Sequence, residues 1–294
     1  MSTPAINYAH YIGYDNLPAS IVFAVLYAPL FFWFLRKSFT HPTYVHFVLT
    51  LFCLIRVVAF IIRAVLAGSS NAGTNLGLVI ADQILFGVGY FGLLYSAYTL
   101  VLDLEQATDK VQNTDENPII TLTKNRRLFR LLMTVAVALG ITASSNVNSD
   151  GSSPSYANAL REASTIIFLV MTALLVFQTV YFARIKMMNR HTSIQNPQAP
   201  INTDRQDSFG AKHGIFILVV ISLLLLIREI FITATMTPSN RPKQYNEHFW
   251  YPFVATTEFL AVVCYVTPGL VPSAKDINMR TTNMHQDHDL KESA

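Results

Sequence analysis

Seven long apolar stretches alternate with polar segments along the chain. They run Leu17–Leu35, Tyr44–Leu66, Leu78–Leu102, Leu128–Ser144, Ala159–Ala183, Gly214–Met236 and Phe249–Thr267. About 18 apolar residues suffice to carry a helix across a bilayer. The pattern therefore predicts an all-α, polytopic membrane protein: a seven-transmembrane-helix bundle over 17–268. Residues 1–16 form a short leading segment and 269–294 a disordered tail. The fourth stretch is short and ends in polar residues.

Composition agrees with this reading. Hydrophobic residues make up 52% of the 294 and charged ones 13%, against ~25% charged in soluble domains. The net charge of +3 is small and scattered, which excludes a nucleic-acid partner. Cys53 and Cys264 both lie inside apolar stretches and read as buried free thiols.

The positions of Lys and Arg set an orientation. With residue 1 outside, fifteen of the 21 fall on the inner side: Arg36 and Lys37, then Lys110, Lys124, Arg126, Arg127 and Arg130, then Arg184, Lys186, Arg190, Arg205 and Lys212, then Lys275, Arg280 and Lys291. Arg161, Arg241 and Lys243 fall on the outer side, Arg161 at the very start of its stretch, and Arg56, Arg63 and Arg228 well within stretches. Basic residues concentrate in cytoplasmic loops, so the N-terminus is expected outside and the C-terminus in the cytoplasm. No signal-peptide or lipidation pattern is present, and the spans supply the anchoring. The membrane is expected to be the plasma membrane or an endomembrane.

The outer segments Ala67–Gly77 and Ser145–Asn158 are rich in Ser, Asn and Gly and read as flexible loops. The inner segments Asp103–Arg127 and Arg184–Lys212 are longer and carry mixed charge. Asn189–Ser208 reads as disordered. The loop 184–212 is the candidate site for a cytoplasmic partner.

Gly87-Val88-Gly89-Tyr90-Phe91-Gly92 satisfies G-x-G-x-x-G, but it lies inside an apolar stretch without the strand that a dinucleotide site needs. Its small residues are expected to let a neighbouring helix approach. His285 and His288, with Asp287 and Asp289, sit on the polar tail and read as a solvated run. The last stretch has no Lys for a retinal Schiff base. Only His46 lies within a stretch, which argues against a membrane zinc hydrolase. No nucleophile–base constellation stands out. The chain is expected to be neither an enzyme nor the holder of a cofactor or metal.

The charges inside the apolar stretches carry the most information. Away from the ends of the stretches they are Arg56, Arg63 and Arg228, with Asp82, Glu229 and Glu258. A charge at the bilayer centre costs ~2.5–3.5 kcal/mol on insertion scales, so such residues face the bundle interior and pair. At a rise of ~1.5 Å per residue, all six fall in the middle or outer half of the bilayer. Arg56 and Arg63 are seven apart and share a helix face. Arg63 and Asp82 lie level on consecutive, antiparallel spans. Two readings stay open: a polar cavity that takes an amphipathic ligand or a lipid headgroup, and a set of ion pairs that fixes packing.

Tyr11-Ile12-Gly13-Tyr14, followed by Leu17-Pro18-Ala19-Ser20-Ile21-Val22-Phe23-Ala24-Val25-Leu26, resembles the opening of the fungal lipid-translocating exporters, the family linked to aminocholesterol resistance. Phe60 and Arg63 match an aromatic and an Arg in that family's second span. Ala59 replaces its Gly, and Arg56 stands where it has Glu. Glu247-His248-Phe249-Trp250-Tyr251-Pro252-Phe253 resembles its Glu-x-x-x-Tyr-x-Phe segment, with Val254 in place of Asp. Pro268-Gly269 resembles its closing Pro-Gly. The resemblance implies a fungal seven-span protein that handles lipids. The leading expectation is binding, sensing or translocation of membrane lipids or a hydrophobic small-molecule ligand through Arg56, Arg63, Asp82, Arg228, Glu229 and Glu258. The alternative is a receptor-like seven-span protein signalling through its cytoplasmic loops.

Overall fold

A computed structural model describes residues 7–108, 125–146, 154–193, 209–237 and 239–271. Every regular element among them is helical. A short leading helix, α1 (Tyr8–Ile12), precedes α2 (Leu17–Thr40) and α3 (Tyr44–Gly68). A single turn, α4 (Ser70–Gly73), leads into α5 (Leu76–Thr108). Then come α6 (Arg126–Ser145), α7 (Ser155–Ser193), α8 (Phe209–Ala234) and the short α9 (Arg241–Tyr245). The last run is continuous: α10 (Glu247–Trp250), a π-helical turn (Tyr251–Thr256) and α11 (Thr257–Tyr265).

Local chemistry sets several helix starts. Asn16, Thr43, Asn125 and Asn246 each accept a backbone N–H of the first turn that follows, because those N–H groups have no intrahelical partner. Gly13 closes α1 at φ 91°, a left-handed conformation that favours glycine. Pro252 opens the π turn. Its ring lacks an N–H and crowds the carbonyl four residues back, which widens the helix there.

Six helices are long and apolar enough to cross a membrane: Leu17–Thr40, Tyr44–Gly68, Leu76–Leu104, Arg126–Ser145, Ser155–Met188 and His213–Ala234. These make the chain an integral membrane protein. The seventh predicted stretch, Phe249–Thr267, is helical through Tyr265 but is not among these six, because the π turn divides it into short α-helical pieces.

Side-chain placement on α3 shows how the bundle is organised. Phe47, Leu51, Leu54, Val58, Ile61 and Val65 form an exposed apolar stripe. The opposite face buries Leu49, Phe52, Cys53, Arg56, Ala59, Phe60 and Arg63. Apolar side chains thus point outward and the charges inward, the arrangement a lipid solvent favours. Consecutive long helices pack side by side, and α5 also touches α7 and α8. Phe23, Tyr27, Phe52, Phe60, Phe86, Trp250, Tyr251 and Phe259 form a linked aromatic core between α2, α3, α5 and the last run. Cys53 and Cys264 are free, the first buried and the second half-buried.

Two predicted loops differ from expectation. The flexible segment Ala67–Gly77 contains α4, started by the Ser69 side chain. Asn189–Ser208 was expected to be disordered, yet the helix continues to Ser193. Once a helix is nucleated, each added residue gains a hydrogen bond, so α7 outruns its apolar stretch. Residues 194–208, 147–153 and the tail 272–294, with His285 and His288, lie outside the described residues.

Candidate functional site

All six charges predicted from the sequence are buried, and they form two adjoining groups. The deeper group joins α3, α8 and α11. Arg56 Nε and Nη2 donate to Glu258 Oε2 and Oε1, each at 2.8 Å. Arg228 Nε donates to the same Oε1 at 2.8 Å, and Arg228 Nη1 bonds the neighbouring Glu229. One carboxylate therefore bridges two guanidinium groups from different helices.

Arg56 is also held by the backbone. Nη1 and Nη2 donate to the carbonyls of Leu85 and Phe86 at 3.2 and 3.1 Å. The guanidinium lies against the Phe52 and Phe86 rings. Gly89 makes this possible, because a Cβ there would stand 2.8 Å from Arg56 Nη1. The glycine string was expected to admit a neighbouring helix. At Gly89 it admits the end of an arginine side chain instead. A Cβ at Gly92 would make ordinary contact with Val48, and one at Gly87 would meet nothing within 4 Å. Residues two apart on a helix point to nearly opposite sides, which separates Gly87 from Gly89.

The second group, nearer the bundle end that carries residue 7, joins α3, α5 and the leading segment. Arg63 Nη2 donates to Asp82 Oδ2 at 2.8 Å. The Tyr14 hydroxyl donates to the same oxygen at 2.9 Å. Tyr14, Phe86 and Trp250 surround the Arg63 guanidinium, with Trp250 at 3.7 Å from ring centre. Such a cage favours a cation through the ring quadrupoles. Burial, with Asp82 beside it, holds the Tyr14 hydroxyl well above its ordinary pKa, so it stays a donor. The leading segment is tied down a second time, where the Asn16 N–H donates to Glu247 Oε2 at 2.6 Å. Burial raises the Glu247 carboxyl, while the Asn16 N–H and Arg63 oppose the shift.

Beside these groups lies a cavity of about 190 Å³ at the end of the bundle that carries residue 7. Arg63, Arg161, Arg228, Glu229 and Glu247 supply its charges, and Gln83, Ser144, Ser164, Thr165 and Gln244 its neutral polar groups. Phe86, Tyr90, Phe168, Ile232, Trp250 and Val254 supply apolar and aromatic wall. The six predicted residues divide here. Arg63, Arg228 and Glu229 line the cavity, whereas Arg56, Asp82 and Glu258 are packed behind it. Among the described residues, the half-buried Arg161 side chain has no ion-pair partner.

Sequence reasoning missed Arg161, Glu247, Tyr14, Tyr90 and Trp250 as site residues. Arg161 lies near a span end and counted only as an outer-loop charge. Tyr90, whose ring sits 3.7 Å from the Arg228 guanidinium carbon, looks like any core aromatic. Tyr14, Glu247 and Trp250 carried a signal, since they belong to the two strings on which the exporter resemblance rests. Among the described residues, no group of three His, Cys, Asp or Glu side chains could hold a metal ion.

Residues 17–196, more than half of the chain, match the family described as Domain of unknown function (DUF7702). No curated protein and no solved structure matches the chain.

Proposed function

We propose that this chain, which belongs to the family of the domain of unknown function DUF7702, is a seven-span lipid-binding protein. Its outer cavity takes the polar head of a lipid or small amphipathic molecule. The role is non-enzymatic. The single observation that carries the reading is the cavity lined by Arg63, Arg161, Arg228, Glu229 and Glu247. A charged hollow in a membrane bundle must hold water or a polar ligand. Three cations against two anions favour an anionic or zwitterionic head. At about 190 Å³ the space suits a headgroup, being smaller than the ~300–1,000 Å³ of pockets that enclose drug-sized ligands. The resemblance to lipid-translocating exporters points the same way.

The seventh span in this reading is the run from Phe249 to Tyr265. Phe249, Phe253, Leu260 and Val263 make its exposed side, while Trp250, Val254, Glu258, Ala261 and Tyr265 face inward. An odd number of spans, with the Lys and Arg bias, puts the cavity on the non-cytoplasmic side. The deeper Arg56–Glu258–Arg228 group acts as a packing clasp that holds the cavity walls in register.

The test is to purify the full chain and measure retained lipids by native mass spectrometry, alongside lipid-induced thermal stabilisation. Arg161→Gln should keep the unliganded melting temperature, since the Arg161 side chain has no ion-pair partner among the described residues, and should lose most of the retained lipid and stabilisation. If the wild type retains no lipid and no lipid stabilises it, the charges serve packing alone.

A further inference from the structure

The opposite end of the bundle has a second cavity, of about 500 Å³. It lies where α2 ends, α3 begins and the last helical run stops. Trp33, Lys37 and His41 approach from α2 and the residue after it, Thr43 and His46 from the start of α3, and Tyr265–Gly269 and Val271 from the end of the last run. The geometry points to a binding site here for the phosphate group of an anionic phospholipid, drawn from the leaflet at this end.

Four observations converge. No carboxylate occurs among the described residues that line the cavity. Lys37 has no ion-pair partner among the described residues; its ammonium sits 5.5 Å from the Trp33 ring centre. The 25-residue helix α3 starts at the cavity with Thr43 as its cap. The first N–H groups of a helix lack intrahelical partners and attract anions.

The fourth observation is the most specific. Tyr265 is 2% exposed, and its hydroxyl has no hydrogen-bond partner among the described residues. A buried O–H without an acceptor costs free energy, and a shift of the Tyr265 ring toward the cavity it lines would bring an anionic oxygen there within reach as that acceptor. His46 holds the wall in place: its Nδ1 lies 2.8 Å from the Thr43 hydroxyl and 3.2 Å from the His41 carbonyl.

A membrane source of the phosphate fits better than a free ion. Trp33, which lines the cavity, is 43% exposed, and Phe32 and Phe39, farther round the same end of α2, are 65% and 81% exposed. Exposed aromatic rings at a helix end sit at headgroup level, so acyl chains can lie along α2 while the head enters. Under the orientation proposed above, this is the cytoplasmic leaflet, which carries the anionic lipids. The site itself does not depend on that orientation.

The experiment uses the full chain in nanodiscs of phosphatidylcholine containing a minor fraction of phosphatidylserine or phosphatidylinositol phosphate. Bound lipid is read by native mass spectrometry after transfer to detergent. The wild type should retain the anionic lipids in preference to phosphatidylcholine. Lys37→Gln should lower that retention about fivefold. Tyr265→Phe should lower it too, while leaving the melting temperature of the lipid-free protein unchanged or raised, because it removes an unsatisfied group. Arg36→Gln removes a charge at the same end from outside the cavity and should have little effect. Equal retention of both lipid classes by the wild type would overturn the proposal. So would an Arg36→Gln loss matching that of Lys37→Gln, which would mean general surface attraction. Stabilisation by inorganic phosphate alone, with no lipid preference, would identify a free ion and overturn the lipid assignment. None of these outcomes bears on Arg161, so the two sites can fail separately.

Discussion

Gly87 and Gly89 give the sharpest prediction, because the same substitution should act in opposite directions two residues apart. An alanine Cβ at Gly89 would lie 2.8, 3.0 and 3.3 Å from Arg56 Nη1, Cζ and Nη2. All three are closer than ordinary van der Waals contact, so the guanidinium has to move. Its bonds to the Leu85 and Phe86 carbonyls leave no slack in that direction. Losing two hydrogen bonds from a charged donor costs ~3 kcal/mol at the low end of the range. Alanine regains ~1 kcal/mol of helix propensity. The net expectation for Gly89→Ala is a loss of ~2 kcal/mol. At Gly87 a Cβ meets nothing within 4 Å, so Gly87→Ala keeps only the propensity gain of ~1 kcal/mol. The two variants should therefore differ by ~3 kcal/mol in unfolding free energy, measured as SDS-unfolding midpoints in mixed micelles. The penalty should also shrink in an Arg56→Met background, where a flexible, uncharged side chain can yield. Equal midpoints for Gly87→Ala and Gly89→Ala would refute the placement of Arg56 against this glycine.

Further expectations follow from the same geometry. Arg63→Ala and Asp82→Ala should each destabilise the protein, with a coupling of ~1 kcal/mol in a double-mutant cycle; strict additivity would show that their 2.8 Å pair is not formed. Burial raises the Glu247 carboxyl in the folded protein, so the folded state holds its proton more tightly than the unfolded chain does. Wild-type stability relative to Glu247→Gln should then fall as pH rises from the ordinary carboxylate range through the raised value. A pH-independent difference in melting temperature between the two would contradict this. A reporter fused after Ala294 should be cytoplasmic and a tag before Tyr8 accessible from the other side; both on one side would sink the seven-span arrangement.

Much of the fold was legible in one dimension. A stretch such as Tyr44–Leu66 must be helical in a membrane, because no water is present to satisfy its backbone groups. Its charges had to face inward for the same reason, and the spacing of seven between Arg56 and Arg63 placed them on one side of α3. The level placement of Arg63 and Asp82 followed from counting residues along two antiparallel helices joined by a short connection. Helix ends were less legible. The continuation of α7 past Ala183 and the extra turn at Ser70–Gly73 depend on hydrogen bonding and side-chain caps that the apolar pattern does not record.

The choice of partners belongs to the tertiary structure. Arg56 bonds Glu258, 202 residues away, although Asp82 is far closer in sequence. That choice depends on how α3 and α11 are rotated about their axes. Hydropathy sets a helix's depth in the bilayer but leaves its rotation to packing. The π turn at Tyr251–Thr256 helps fix the rotation of α11, and Gly89 leaves the space the guanidinium occupies. The cavity is decided in the same way. Arg161, Gln244 and Glu247 lie at helix ends whose convergence no local pattern encodes. The sequence determined which residues had to leave the lipid. Only the packed bundle decided which of them pair off and which line a hollow, because that depends on the rotation and convergence of helices distant along the chain.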